Sequence, residues 1–148
     1  MARRTEVITI DTPAVAARPA EVDESGNVIF PAVTAKPAGR DHGKTFVLTE
    51  MSAAAAEAWA IKALLALARA GVEIPDETTG MAGLAVAGLK ALQSLDYAAV
   101  KPLLDEMFTC VQYQHRPGHP PQEADPNIEE VGTRLTLRKA LFRLHTGF

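Results

Sequence analysis

Nineteen consecutive residues, Ser52 to Ala70, contain ten alanines, no proline and no glycine. This run constrains the chain more than any other stretch. Alanine has the highest helix propensity, with Leu, Lys, Glu and Arg close behind, so the run predicts one helix of about 28 Å. Thr49 or Ser52 can cap its start, and Gly71 with Pro75 stops it. Its bulky apolar residues, Trp59, Ile61, Leu64, Leu65 and Leu67, cover more than one stripe, which predicts contact on two sides. Lys62 and Arg69 then mark the solvent edge, and Arg69 suits the negative end of the helix dipole.

On either side of this helix, the breakers decide. Residues 1–45 are dense in turn formers, among them Pro13, Pro19, Gly26, Pro31, Pro37 and Gly43. Proline removes a donor and biases the preceding residue away from the helical region, so no helix is expected there. Three short runs read as strands: Glu6–Ile10, Asn27–Phe30 after the turn-like Asp23-Glu24-Ser25-Gly26, and Thr45–Thr49. Region 1–45 is therefore either a small hairpin or sheet fragment, or an arm that orders on a partner.

After the first helix, an apolar segment near 80–92 carries Gly83 and Gly88, each costing about 1 kcal/mol in a helix relative to alanine. A helix there needs tertiary contacts. A third helix is predicted near 96–108 with Pro102 inside it, and Cys110–Gln114 reads as a short strand. Residues 115–126 hold four prolines and no core pattern. A last helix, near 128–145, is announced by Pro126, Asn127 as cap and Glu130 three residues on. Ile128, Val131, Leu135 and Phe142 fall near helical spacing, with Leu141 and Leu144 beside them. No internal repeat is expected. The fold class so read is mainly α: a helical domain of about four helices over 46–148, behind an extended or β-type N-terminal arm over 1–45.

Composition narrows the function. With 148 residues the chain has the size of one domain, and aromatics are only 5% of it, so the expected core is thin and built on Ala and Leu. A net charge of −3 argues against a dedicated nucleic-acid binder, and one cysteine, Cys110, excludes an internal disulfide framework or a multi-Cys zinc finger. No apolar run reaches the roughly 18–20 residues of a membrane span. The start, MARRTEVITID, has two arginines without an apolar stretch behind them, so no signal peptide is expected.

Each candidate chemical motif has an ordinary alternative. Ala38-Gly-Arg-Asp-His-Gly43-Lys44-Thr45 satisfies a relaxed phosphate-loop pattern, but strand-like residues follow Lys44 where a helix N-terminus is required. A turn leading into a strand is the expectation. His115 and His119 are four apart, but Arg-Pro-Gly separates them, so no helix can align them for a metal. Cys110 at the end of an apolar helix reads as core rather than nucleophile. His42 and His145 have no evident sequence partner. Asp105–Glu106 and Glu129–Glu130 are adjacent and diverge on a helix, which suits solvated faces. Arg134 and Arg138 share a face at i, i+4, as a soluble or protein-docking surface. Trp59 reads as core or as an interface anchor. No cofactor, metal or catalytic residue is expected.

Gly39-Arg-Asp-His-Gly-Lys-Thr-Phe-Val-Leu-Thr-Glu-Met51 and Ala56-Glu57-Ala58-Trp59-Ala60 resemble a family of small tailed-bacteriophage and prophage proteins of the tail gene cluster. Val72-Glu-Ile-Pro75, Lys101-Pro-Leu-Leu-Asp-Glu-Met107 and the ending Thr133–Phe148 share the likeness, which covers about 39–110 and 128–148. The resemblance implies a non-enzymatic tail assembly chaperone that keeps the tape-measure protein soluble while tail-tube subunits polymerise around it, in the bacterial host cytoplasm. A structural virion protein of the tail or connector is the alternative. Partners are then the tape-measure protein, the tail-tube protein or a second copy, with neither nucleic acid nor membrane. The helix bearing Trp59 and Leu64, and the C-terminal helix bearing Arg134, Arg138 and Phe142, are the candidate partner-binding surfaces.

Overall fold

The computed structural model describes residues 2–71 and 95–146. Strand β1 (Thr5–Thr9) pairs antiparallel with β4 (Thr45–Thr49), which pairs with β5 (Val111–Gln114), and β5 pairs with β6 (Gln122–Glu123). The sheet order is β1-β4-β5-β6, and a separate two-stranded sheet joins β2 (Glu21–Val22) to β3 (Val28–Phe30). Helix α1 spans Ala53–Arg69, α2 Tyr97–Phe108 and α3 Val131–Thr146, with a 3-10 turn at Asp125–Asn127.

This corrects the expected fold class. The chain is mixed α/β, with a four-stranded antiparallel sheet and three helices among the described residues, rather than mainly α with about four helices. The helix expected near 80–92 lies outside the described residues. Register explains the sheet's importance. Alternation along β4 places Phe46 and Leu48 on one face, fully buried, and sets Phe46 opposite Ile8 of β1 and Tyr113 of β5. Leu137, Ala140 and Leu141 of α3 pack onto that face, together with Ile10, Phe108 and Val111. Burying each large side chain contributes about 1.5–3 kcal/mol.

Of the residues expected at helical spacing near the C-terminal helix, Leu141 and Leu144 are buried and Ile128 and Phe142 pack against the core, but Val131 and Leu135 do not. Thr133, Leu137, Ala140, Leu141 and Leu144 are buried, whereas Val131 and Leu135 are 73% and 62% exposed. Both sets have helical spacing. Ala140 permits close approach to the sheet, and Arg134 and Arg138 need the neighbouring face for Phe108.

Helix α1 matches its local code. The Ser52 Oγ accepts the Ala55 N–H at 3.2 Å, and Gly71 takes φ +73°, which ends the helix. Its contact is one-sided among the described residues: Leu67 is buried, but Ile61 and Leu65 are half exposed. Pro102 sits inside α2 without breaking it. The proline-rich loop supplies β6 and the buried Ala124, so part of it belongs to the core.

Between β1 and β4 the chain runs out and back as an arm. Gly39 N–H donates to the Thr12 carbonyl at 2.9 Å, Val15 and Lys36 exchange bonds at 2.9 Å, and Arg18 and Val33 exchange bonds at 3.0 and 2.9 Å. Glu21 then faces Phe30. The paired positions recur at every third residue, the period of polyproline II rather than of a β-strand. Pro13, Pro19, Pro31 and Pro37 fix φ in the range this conformation requires. At about 3.1 Å per residue, the steps from Thr12 to Glu21 reach about 28 Å. Gly26, at φ +83°, turns the tip, and the Asp23 carboxylate accepts the N–H groups of Ser25 and Asn27 there.

The expectation of no internal repeat is also corrected. Pro13-Ala-Val-Ala-Ala-Arg-Pro-Ala20 and Pro31-Ala-Val-Thr-Ala-Lys-Pro-Ala38 are the same motif with two conservative changes. Its third residue bonds to the sixth of the other copy in both directions, Val15 to Lys36 and Val33 to Arg18. The spacing is too short for a solenoid period, so only the pairing makes the repeat conspicuous.

Candidate interaction surface

The arm is seated by the stretch that resembles a phosphate loop. Asp41 is fully buried, and its Oδ2 accepts the backbone N–H of Glu129 at 3.1 Å and of Glu130 at 2.9 Å. These are donors at the start of α3 that the helix itself cannot satisfy. The Lys44 Nζ donates to Asp41 Oδ1 at 2.9 Å and to the Asn127 carbonyl at 2.8 Å, with Glu129 Oε2 at 3.6 Å. Burial alone would raise the Asp41 pKa. Hydrogen bonds from Thr133, Lys44, Glu129 and Glu130 outweigh it and bring the value down to about 2. Lys44 is thus engaged by carboxylates, and Asp41 caps α3 in the place expected of Asn127. The Asn127 side chain instead donates to the Glu123 carbonyl, and the Glu130 carboxylate accepts the Arg40 N–H.

Three of the five candidate partner-binding residues, Trp59, Arg134 and Arg138, lie at contacts between helices. Trp59 is half-buried, and its indole N–H donates to the Leu103 carbonyl of α2 at 2.9 Å. Leu64 is half-buried on the same helix. Lys62 adds an ion pair with Glu106 at 2.9 Å. The Arg134 and Arg138 guanidinium groups lie 4.3 and 5.0 Å from the Phe108 ring centroid. Arg138 donates to the Leu104 carbonyl at 3.0 Å, and Arg134 pairs with Asp125. Phe142 is half-buried against the core. Trp59 therefore meets α2, and the two arginines clamp α2 to α3. Beside that clamp lies an open groove of about 780 Å3, whose lining includes Lys101, Phe108, Val111, Gln122 and Arg134.

The reactive side chains singled out in the sequence are also placed. Burial pushes the Cys110 thiol up, against the opposing charge of Arg3. His42 Nδ1 accepts the Thr12 N–H at 3.0 Å, and His145 Nε2 accepts the Met51 N–H at 2.9 Å. His115 lies beside Tyr113, and Gln114 holds the His119 carbonyl at 2.8 Å. Among the described residues no group of three or more His, Cys, Asp or Glu is placed to hold a metal ion. Among them, too, no helix is long and apolar enough to cross a membrane.

The most conspicuous surface was missed in the sequence. At the arm tip Val22, Val28, Ile29 and Phe30 are 56–62% exposed. Three of them are consecutive, so no alternation gives them an inward face, and this was the available signal. Further exposed apolar side chains are Ile61 and Leu65, at i, i+4 on α1, and Val131 and Leu135, at i, i+4 on α3. Contiguous exposed apolar groups mark interaction sites more often than isolated ones do.

No family model, no curated protein and no solved structure matches this chain.

Proposed function

We propose that this protein is a non-enzymatic tail assembly chaperone of a tailed bacteriophage or prophage, binding the tape-measure protein in the host cytoplasm during tail assembly. The observation that carries this function is the exposed apolar surface on three elements: the arm tip, the Ile61–Leu65 face of α1 and the Val131–Leu135 face of α3. A long helical client offers apolar stripes at the same i, i+4 spacing, and covering them keeps it soluble. Lys44 is held by Asp41, and the ring nitrogens of His145 by Met51 and Leu141. The resemblance of about residues 39–110 and 128–148 to small phage and prophage proteins of the tail gene cluster, which implies a tail assembly chaperone, supports the same function.

The projecting arm favours one alternative, a structural protein of the tail or connector, since an arm of about 28 Å can clasp a neighbour in an assembly. Tagged protein recovered from phage-producing cells, with mass spectrometry of its partners and of purified particles, separates the two. A chaperone is recovered with the tape-measure protein and is absent from particles. A structural protein is present in particles at fixed copy number. Absence of the tape-measure protein from the recovered complex together with absence of this chain from particles contradicts both.

A further inference from the structure

We propose that the arm is a self-association element, through which two copies of this chain pair arm to arm, antiparallel, across a twofold axis. It uses the same arm tip as the client surface proposed above, and its test reads association of this chain alone.

A two-stranded ribbon standing alone in water is marginally stable, and this one carries four large apolar side chains at its tip. It therefore gains by being covered. The repeat indicates what covers it. Residues 13–20 and 31–38 are copies of one motif, and the fold already pairs these copies antiparallel, third residue to sixth. A strand that pairs with its own copy in this way presents a surface that a second arm reproduces.

Charge sets the orientation. Arg18 and Lys36 lie along the shaft, whereas Glu21 and Glu24 lie towards the tip, and all four are exposed. Among the described residues none of the four enters an ion pair. Parallel arms would set like charges side by side. Antiparallel arms set the tip acids of each against the shaft cations of the other, twice over by symmetry, and bring both apolar tips onto a partner surface.

The test is sedimentation equilibrium of the full chain at low salt across the micromolar range, with two charge-reversed variants. One is Arg18→Glu with Lys36→Glu, which leaves the arm acidic throughout; the other is Glu21→Lys with Glu24→Lys, which leaves Asp23, already bonded to the Ser25 and Asn27 N–H groups, as the arm's one acid. The wild type is expected to dimerise, and salt is expected to weaken the dimer. Each variant alone is expected to dissociate at least tenfold more readily, and an equimolar mixture of the two to recover a one-to-one dimer. Circular dichroism confirms that each variant is folded before it is weighed. A monomeric wild type, a variant that dimerises as the wild type does, or a mixture that fails to associate each overturns the proposal.

Discussion

The Asp41 carboxylate lies 2.9 Å from the backbone N–H of Glu130, a residue 89 positions further along the chain. That contact joins the turn at the arm's base to the start of α3. A buried negative charge at a helix N-terminus satisfies otherwise unpaired N–H groups and meets the positive end of the helix dipole. Through it, the root of the arm and the helix that covers the sheet take one fixed relation.

Replacing Asp41 with Asn keeps the shape and removes the charge that Lys44, Thr133 and the two backbone donors address. Loss of buried charge-assisted bonds of this kind costs about 3 kcal/mol. Chemical denaturation should show a lower midpoint with the slope unchanged. A midpoint equal to that of the wild type would show that the contact contributes nothing.

The same group gives stability a defined pH dependence. The folded pKa of Asp41, about 2, lies below its ordinary value of 3.8. The stabilisation is therefore complete above about pH 5 and lost as pH falls through about 2, and it amounts to about 2 kcal/mol. Acid titrations of stability for wild type and Asp41→Asn should converge at low pH. Curves that stay parallel down to pH 2 would contradict this.

A methyl group at Gly39 would meet the Thr12 Oγ1 at 2.4 Å and the Glu130 Oε1 at 3.3 Å. The threonine side chain is short and stiff, so backbone must give way at the arm's root. Gly39→Ala should destabilise by about 1–3 kcal/mol, and adding Thr12→Ala should recover part of that loss. Equal midpoints for the single and double variants would show that Thr12 is not the obstacle.

Trp59→Phe removes the indole N–H that the Leu103 carbonyl accepts while keeping most of the apolar contact. The cost should be about 1 kcal/mol in thermal or denaturant unfolding. A neutral result would show that water replaces the bond without loss.

How much of this was legible follows from the range of each signal. The cap at Ser52, the stop at Gly71 and the strand Thr45–Thr49 rest on neighbouring residues, and they appear where the local pattern places them. The sheet does not, because the partners of Phe46 are Ile8 and Tyr113, far apart in sequence and joined only by folding. Reading strands one by one therefore left the helices to dominate the fold class. The cap of α3 was misassigned for the same reason: Asn127 is local, whereas Asp41 arrives from across the chain. Trp59, Arg134 and Arg138 were legible as important, but their partners Leu103, Phe108 and Leu104 were not.

Phe30 separates recognition from stability. It is 62% exposed at the arm tip, and surface substitutions of this kind change stability by about 0.5 kcal/mol or less. Phe30→Ser should therefore unfold at the wild-type midpoint and recover less tape-measure protein in a pull-down. Full recovery would place the client contact elsewhere.

The most direct measurement is the soluble fraction of the tape-measure protein from the same phage or prophage when it is co-expressed with this chain. A chaperone of the kind proposed raises that fraction stoichiometrically and elutes with its client, and substitutions of Phe30 and Leu135 by serine reduce both effects. A client equally insoluble with and without the chain would contradict the proposed function.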